Sequence, residues 1–154
     1  MFPFSLNWWQ APIERASHLL PQFTAKRKFN YKIAIAGISL ISYGFFKKLV
    51  IADRLAIYVN HIFSDIQNAN TLSLLLGIIF FSFQIYADFS GYSLIARGIS
   101  KLLGFDLIVN FNKPYLASSL PEFWKRWHIS LSTWFRDYLY IPLGGNRVSQ
   151  LRNY

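Results

Sequence analysis

The sequence predicts an all-α membrane protein in which integral membrane helices are joined to an amphipathic helix that is interfacial or re-entrant. Three observations carry this. Of 154 residues, 53% are hydrophobic and 19% aromatic, yet the formal net charge is +9. The apolar residues lie in long runs with the charges between them, which is the segregation a bilayer imposes. The stretch 123–147, FWKRWHISLSTWFRDYLYIPLGGNR, has helical periodicity but is too polar to span a membrane. No linker-like or low-complexity segment and no internal repeat divides the chain, so residues 1–154 are read as one domain or a piece of one.

Taken in order, residues 1–10 do not form a cleavable signal peptide. They lack a basic start, and Trp8, Trp9 and Pro12 stand where an apolar core should run. The segment APIERASHLLPQF predicts a short surface helix between Pro12 and Pro21. Lys26, Arg27, Lys28 and Lys32 then precede the first apolar run, as cytoplasmic anchoring charges do. From Ile33 to Phe46 there is no charge, and LVIA resumes after Lys47 and Lys48, so a membrane helix is expected over about 33–52. The two lysines would snorkel or face protein. Because basic residues flank this helix on both sides, the positive-inside rule does not orient it.

The second membrane helix is expected over about 69–103. No charge occurs between Asp65 and Asp88, and TLSLLLGIIFFSFQIYA is long enough to cross a hydrocarbon core of roughly 30 Å. Asp88, Ser90, Gly91 and Tyr92 interrupt the apolar run, a helix can continue through them with a kink at Gly91, and Gly104 marks its end. Asn110, Asn112, Pro114 and a Ser-Ser pair make 105–119 a loop with a short turn. An amphipathic helix is then expected over about 120–141, opened by a capping box at Ser119 and Glu122 and closed by Pro142, Gly144 and Gly145. Phe123, Trp124, Trp127, Leu131, Trp134, Phe135 and Tyr138 would share one apolar arc, with His128 at its edge. The final NRVSQLRNY reads as the approach to a further membrane helix.

The chemistry on offer is limited. With no cysteine there is no disulfide or thiolate metal site, and the three histidines have no ligand-spaced neighbours, so no metal is expected. Gly144, Gly145 and Asn146 form a turn signal without the lysine and helix of a phosphate loop. Nucleic acid is disfavoured as a partner, because the cations are dispersed among apolar spans; a lipid bilayer is the expected one. His128 can be read as a general base that is neutral near pH 7, or as a satisfied interfacial histidine.

Four separated segments resemble the membrane-bound O-acyltransferase family, in the branch that includes alginate O-acetyltransferases. APIERASHLLPQF is similar to the family's AGPIERA-type segment, FKKLVIADRLA to its following helix, YADFSGYSLIARGISKLLGF to its DFSGYSD segment, and FWKRWHISLSTWFRDYLYIPLGGNR to its most distinctive run. The resemblance implies a partial copy of a multi-helix acyltransferase fold in a bacterial inner membrane, with multiple passes. It implies transfer of an acyl group, acetyl foremost, from a coenzyme A or carrier-linked thioester to a hydroxyl of a cell-envelope polysaccharide, or to a periplasmic acyltransferase partner. No bound cofactor is implied beyond that donor. His128 matches the family's WHISL histidine and is the implied catalytic residue. Asp88, Lys125, Arg126, Ser132 and Arg136 are candidates for the substrate or acyl-donor region on their own chemistry, as an acid at the end of a membrane run and as polar and cationic groups beside His128. Plainer roles stay open beside these: Asp88 pairing with Arg97, Arg136 and Asp137 pairing with Glu122 or Asp106, and Lys125 and Arg126 as surface anchors.

The resemblance also places a second, near-invariant histidine in a GLWHG-like context beyond Tyr154. Ala11 stands where the family has Gly, Leu94 where it has an acid, and residues 1–10 do not match the expected upstream segment. A fragment or truncated copy is therefore expected, and the alternative function is a non-catalytic membrane subunit or scaffold.

Overall fold

In the computed structural model the described residues are 12–145, and among them there are helices and turns but no strand. The readings that fall on Trp8, Trp9, Ala11 and residues 146–154 lie outside the described residues. The chain divides into two compact units, residues 25–107 and residues 12–24 with 108–145, where the sequence pointed to one domain.

In the first unit, α2 (Tyr31–Phe45) begins where Asn30 Oδ1 accepts the N–H groups of Lys32 and Ile33 at 2.9 and 3.3 Å. The helix does not stop near residue 52 as the apolar run predicted. A π-helical stretch, Phe46–Ala52, carries it into α3 (Asp53–Ser64), making 34 continuous residues from Tyr31. The polar residues of α3 are tolerated because the helix is amphipathic. After a turn, α4 runs from Thr71 to Leu102, capped by Asn70 on the Ser73 N–H at 2.8 Å. It closes with Gly104 at φ +78°, the Phe105 N–H on the Ser100 carbonyl at 2.8 Å and the Gly104 N–H on the Lys101 carbonyl at 3.1 Å. Both helical runs are about 50 Å long, more than a bilayer core needs.

Glycine decides how these helices meet. A Cβ on Gly98 would lie 2.6 Å from the Gly37 carbonyl oxygen, and one on Gly44 would lie 2.7 Å from that of Gly91. The two glycines of each helix are seven residues apart and so share a face, and their opposite order on the two helices makes the packing antiparallel. Large apolar side chains on the outer surface, such as Ile38, Leu49, Leu72 and Ile78, are more than half exposed. That is a lipid-facing surface rather than a core.

Midway along this pair, Lys48 Nζ bridges Asp53 Oδ1 at 2.8 Å and Asp88 Oδ1 at 2.7 Å. Lys47 Nζ donates to Ser90 Oγ at 3.1 Å and lies 5.0 and 4.8 Å from the Tyr43 and Tyr86 ring centroids. Both lysines thus face protein. Asp88 takes Lys48 and not Arg97, because antiparallel packing sets residue 48 across from 88, whereas Arg97 sits more than two turns along α4. Arg97 Nε instead donates to the Leu107 carbonyl at 3.2 Å.

The second unit contains α1 (Ala16–Thr24), a 3₁₀ turn at Pro114–Leu116, α5 (Leu120–Arg126), α6 (Ile129–Phe135) and a π turn at Arg136–Tyr140. Pro21 lies inside α1 and does not end it. The single helix expected over 120–141 is broken: Trp127 is extended (φ −100°, ψ 129°) and His128 is left-handed (φ +43°). The physical reason is competition for the backbone. Asn110 and Asn112 from the preceding loop take the hydrogen bonds that a continuous helix would have made for itself.

Candidate active site

The break at His128 is held from outside. The Asn112 N–H donates to the Arg126 carbonyl at 2.9 Å, closing the end of α5. The Ile129 N–H donates to the Asn110 carbonyl at 2.9 Å, and the Ser130 N–H to Asn110 Oδ1 at 3.3 Å. Asn110 therefore caps α6 from twenty residues away with both its main chain and its side chain, and it is 1% exposed. His128 occupies the cap position but contributes no side-chain capping bond. Its imidazole is left to face other groups.

One of these is Ser130, a residue 1% exposed whose hydroxyl lies 3.5 Å from His128 Nδ1, the outer limit for such a bond. Ser130 Oγ also accepts the Ile13 N–H at 3.1 Å. The segment 12–15 thus threads beneath α6. Glu14, 9% exposed at its side chain, accepts the Ile108 N–H through Oε1 and contacts His18 Nδ1 through Oε2 at 2.8 Å. Arg15 forms an ion pair with Asp137 and reaches the Thr133 carbonyl. Partial burial lowers the His128 pKa below its ordinary value, because it disfavours the imidazolium. The shift favours the neutral ring that a proton acceptor needs.

Trp127 anchors one side of this arrangement. Its ring packs edge-on to Phe111 at 5.1 Å and stacks with Phe123 at 5.5 Å. The predicted aromatic arc is split by the break. Trp134 and Tyr138 stack separately at 5.5 Å, and Trp124, Phe135 and Tyr138 stay exposed.

Lys125, Arg126, Ser132 and Arg136 belong to the same unit as His128, and Asp88 belongs to the other. Ser132 bonds across the break: its N–H donates to the His128 carbonyl at 3.0 Å, and its hydroxyl approaches the Trp124 and Trp127 carbonyls at 3.3 and 3.4 Å. Arg126 pairs with Glu122. Arg136 pairs with neighbouring Asp137 at 2.8 Å, while Glu122 pairs with Arg126 within the same unit and Asp106 with Lys101 at 3.0 Å in the other. The hydrogen bond from Arg136 lowers the Asp137 pKa, and Arg15 adds to the effect. Lys125 is exposed and, among the described residues, has no carboxylate at ion-pair distance. No group of three metal-ligating side chains occurs among the described residues.

Sequence reasoning missed Glu14, Arg15, Asn110 and Ser130. A buried Asn in a loop and a Glu-Arg pair just after a proline were the available signals, but nothing local tied them to residue 128.

Comparison with known proteins shows the family to which these residues belong. The profile of the membrane-bound O-acyltransferase family matches residues 6–154. The chain is 47% identical over 143 residues to a protein named probable alginate O-acetylase AlgI from Pseudomonas aeruginosa, covering 93% of this chain and 27% of that protein. It is 42% identical over 142 residues to a peptidoglycan O-acetyltransferase of Helicobacter pylori, covering 91% and 27%. It is 37% identical over 105 residues to a teichoic acid D-alanyltransferase of Bacillus subtilis, covering 68% and 27%. The chain therefore spans about a quarter of the length of these relatives. With two helices long and apolar enough to cross a bilayer, and with the profile matched over nearly its whole length, this is a membrane protein that belongs to the membrane-bound O-acyltransferase family.

Proposed function

We propose that the chain forms the WHISL-bearing part of an inner-membrane, multi-pass enzyme that moves an acyl group, acetyl foremost, from a thioester donor to a hydroxyl of a cell-envelope polysaccharide. The observation that carries this reading is the presentation of His128. It sits on a helix break with its capping duties met by Asn110, beside a buried hydroxyl, where partial burial disfavours the imidazolium. In this reading the imidazole accepts the proton of the attacking hydroxyl, and the acyl group passes from sulfur to oxygen as the thiol leaves. The proton is then available to the departing thiolate.

Lys125 is the cation best placed to meet an anionic donor such as coenzyme A or a phosphopantetheine carrier, because Arg126 and Arg136 are already neutralised. A periplasmic acyltransferase that receives the acyl group is the alternative acceptor. The second histidine implied by the resemblance would act beside His128. A non-catalytic subunit is favoured by one observation, the exposed Trp124, Phe135 and Tyr138, which suit contact with a partner.

The test is acyl transfer from radiolabelled acetyl thioester in membranes containing the intact enzyme that carries this segment. His128→Gly should lose transfer by about 10²-fold or more, while protein level and extraction behaviour are unchanged. Wild-type transfer in that variant would leave the subunit reading standing.

A further inference from the structure

The antiparallel pairing of α2 and α4 brings two basic segments together that are some seventy residues apart in the chain. Lys26, Arg27, Lys28 and Lys32 lie before and at the start of α2, and Arg97 and Lys101 lie at the end of α4. Asp106 is the one acid with them. The opposite end of the pair, the turn over 65–70, carries Asp65, and no Lys or Arg occurs anywhere in 55–96. The helix pair is thus polarised along its length. The sequence did not show this, because Lys47 and Lys48 looked like the far flank of a helix that in fact continues to Ser64.

At the basic end a groove of about 210 Å³ opens between the two helices. Arg27, Lys28 and Lys101 line its polar side, and Phe29, Ile33 and Leu103 its apolar side. Phe29 is 82% exposed and Leu103 61%. The Arg27 guanidinium carbon lies over the Phe105 ring, 3.8 Å from its centroid, a cation–π contact that holds the side chain at the groove. Lys101 also meets Asp106 at 3.0 Å, but that carboxylate is 69% exposed and well screened by water.

We propose that this groove is a headgroup site for an anionic glycerophospholipid, and that this end of the helix pair faces the cytoplasmic leaflet. The three cations match a phosphodiester, and the apolar rim matches the first part of the acyl chains below it. A soluble phosphate ligand has the same anion chemistry. The lipid is favoured because the groove is smaller than the roughly 300–1,000 Å³ of sites that enclose a whole ligand, and because it sits at the end of two helices of membrane-crossing length. The orientation follows from the concentration of Lys and Arg on one side. Neither the site nor the orientation depends on His128.

The first measurement is lipid retention by the full chain in detergent, read by native mass spectrometry after exchange with phosphatidylglycerol or phosphatidylcholine. Phosphatidylglycerol should be retained at least about tenfold better, with each cation removed weakening it about fivefold. The triple change R27Q/K28Q/K101Q should abolish the preference, and Arg54→Gln should keep it. Equal retention of the two lipids, a preference that survives the triple change, or displacement by millimolar inorganic phosphate or coenzyme A would each overturn the proposal, the last by making the groove a soluble-ligand site. If the triple variant does not fold, the charge-keeping pair R27K/K101R must retain the preference, and salt must weaken it in the wild-type chain. Because the chain has no cysteine, Asn68→Cys and Ala25→Cys can report orientation with a membrane-impermeant maleimide on spheroplasts. Labelling of Asn68→Cys alone is expected, and labelling of Ala25→Cys alone overturns the orientation.

Discussion

At residue 128 the backbone and the side chain make separable demands, because φ is +43° there. Histidine enters this region more readily than most residues, but a β-carbon still costs something there. Glycine meets the backbone demand without the imidazole. His128→Gly is therefore expected to keep the thermal stability of the enzyme while losing acyl transfer, whereas His128→Val should lose both; melting curves beside transfer rates separate the two. The pH dependence follows from the lowered pKa of the folded state. Burial of the neutral ring contributes stability that is present above the ordinary histidine value near 6.5 and is lost as pH falls below it. Transfer should stay flat from pH 7 upward on this group's account and decline only on the acid side, and a rate plateau that begins only well above pH 7 would contradict it.

Asn110 offers a second residue-level test. Its side chain is buried and accepts the Ser130 N–H at 3.3 Å. Asn110→Ala should cost about 1–3 kcal/mol by leaving that N–H unsatisfied, and should lower kcat more than it raises KM, because the donor site is untouched. Asn110→Asp keeps an acceptor and should recover much of the stability. A variant with unchanged melting temperature would show that the side chain does not hold the break.

Among the helices, the glycine contacts make the sharpest prediction. Gly98→Ala would place a β-carbon 2.6 Å from a carbonyl oxygen of α2 and the same distance from Ile41 Cγ1, so the helices must part, at about 1–3 kcal/mol for overpacking. Gly77→Ala meets side chains and no backbone, Ile62 at 3.1 Å and the Phe63 ring at 3.4 Å, and should be milder. Detergent melting of the two variants checks the order, and equal stability would contradict the close approach. At the start of α5, Ser119 Oγ caps the Glu122 N–H at 3.3 Å as the capping box predicts, but the Glu122 carboxylate reaches back one residue further, to the Ser118 hydroxyl at 2.7 Å and N–H at 2.8 Å. These bonds, with that from Arg126, hold its pKa at about 2, below the usual 4.5. The stabilisation is present above pH 4.5 and is lost as pH falls toward 2. Ser118→Ala should move the Glu122 carboxyl titration upward, which a carboxyl-resolved NMR titration would read.

For the molecule as a whole, the outward apolar surface of the helix pair predicts extraction from membranes by detergent but not by high salt or alkaline wash; release by salt alone would mean that the helices do not lie in the bilayer. The lysine and aspartate midway along that pair belong to this scale too. Replacing Asp88 by Asn leaves Lys48 with Asp53 alone and should destabilise the pair. The double change K48M/D88L should recover part of the loss, because a half-buried ion pair is replaced by apolar contact.

The existence of the two membrane helices, the cap at Ser119, the end of α4 at Gly104 and the singularity of His128 were all determined by the sequence alone. Each depends on residues within a few positions of one another: apolar run length, a side chain that reaches the next turn, a glycine where φ must be positive. Only the tertiary structure decided that the helix over 120–141 breaks, that Asp88 meets Lys48, and that Glu14 and Arg15 lie beneath α6. Apolar spacing across the break fits one helix well, and no glycine or proline warns of it between Trp124 and Tyr140. The outcome depends on Asn110 and Asn112 competing for backbone hydrogen bonds from a loop that sequence periodicity does not register. The polarity of the helix pair is hidden in the same way. Charges dispersed along one dimension become a one-ended cluster only when antiparallel packing folds the chain back on itself.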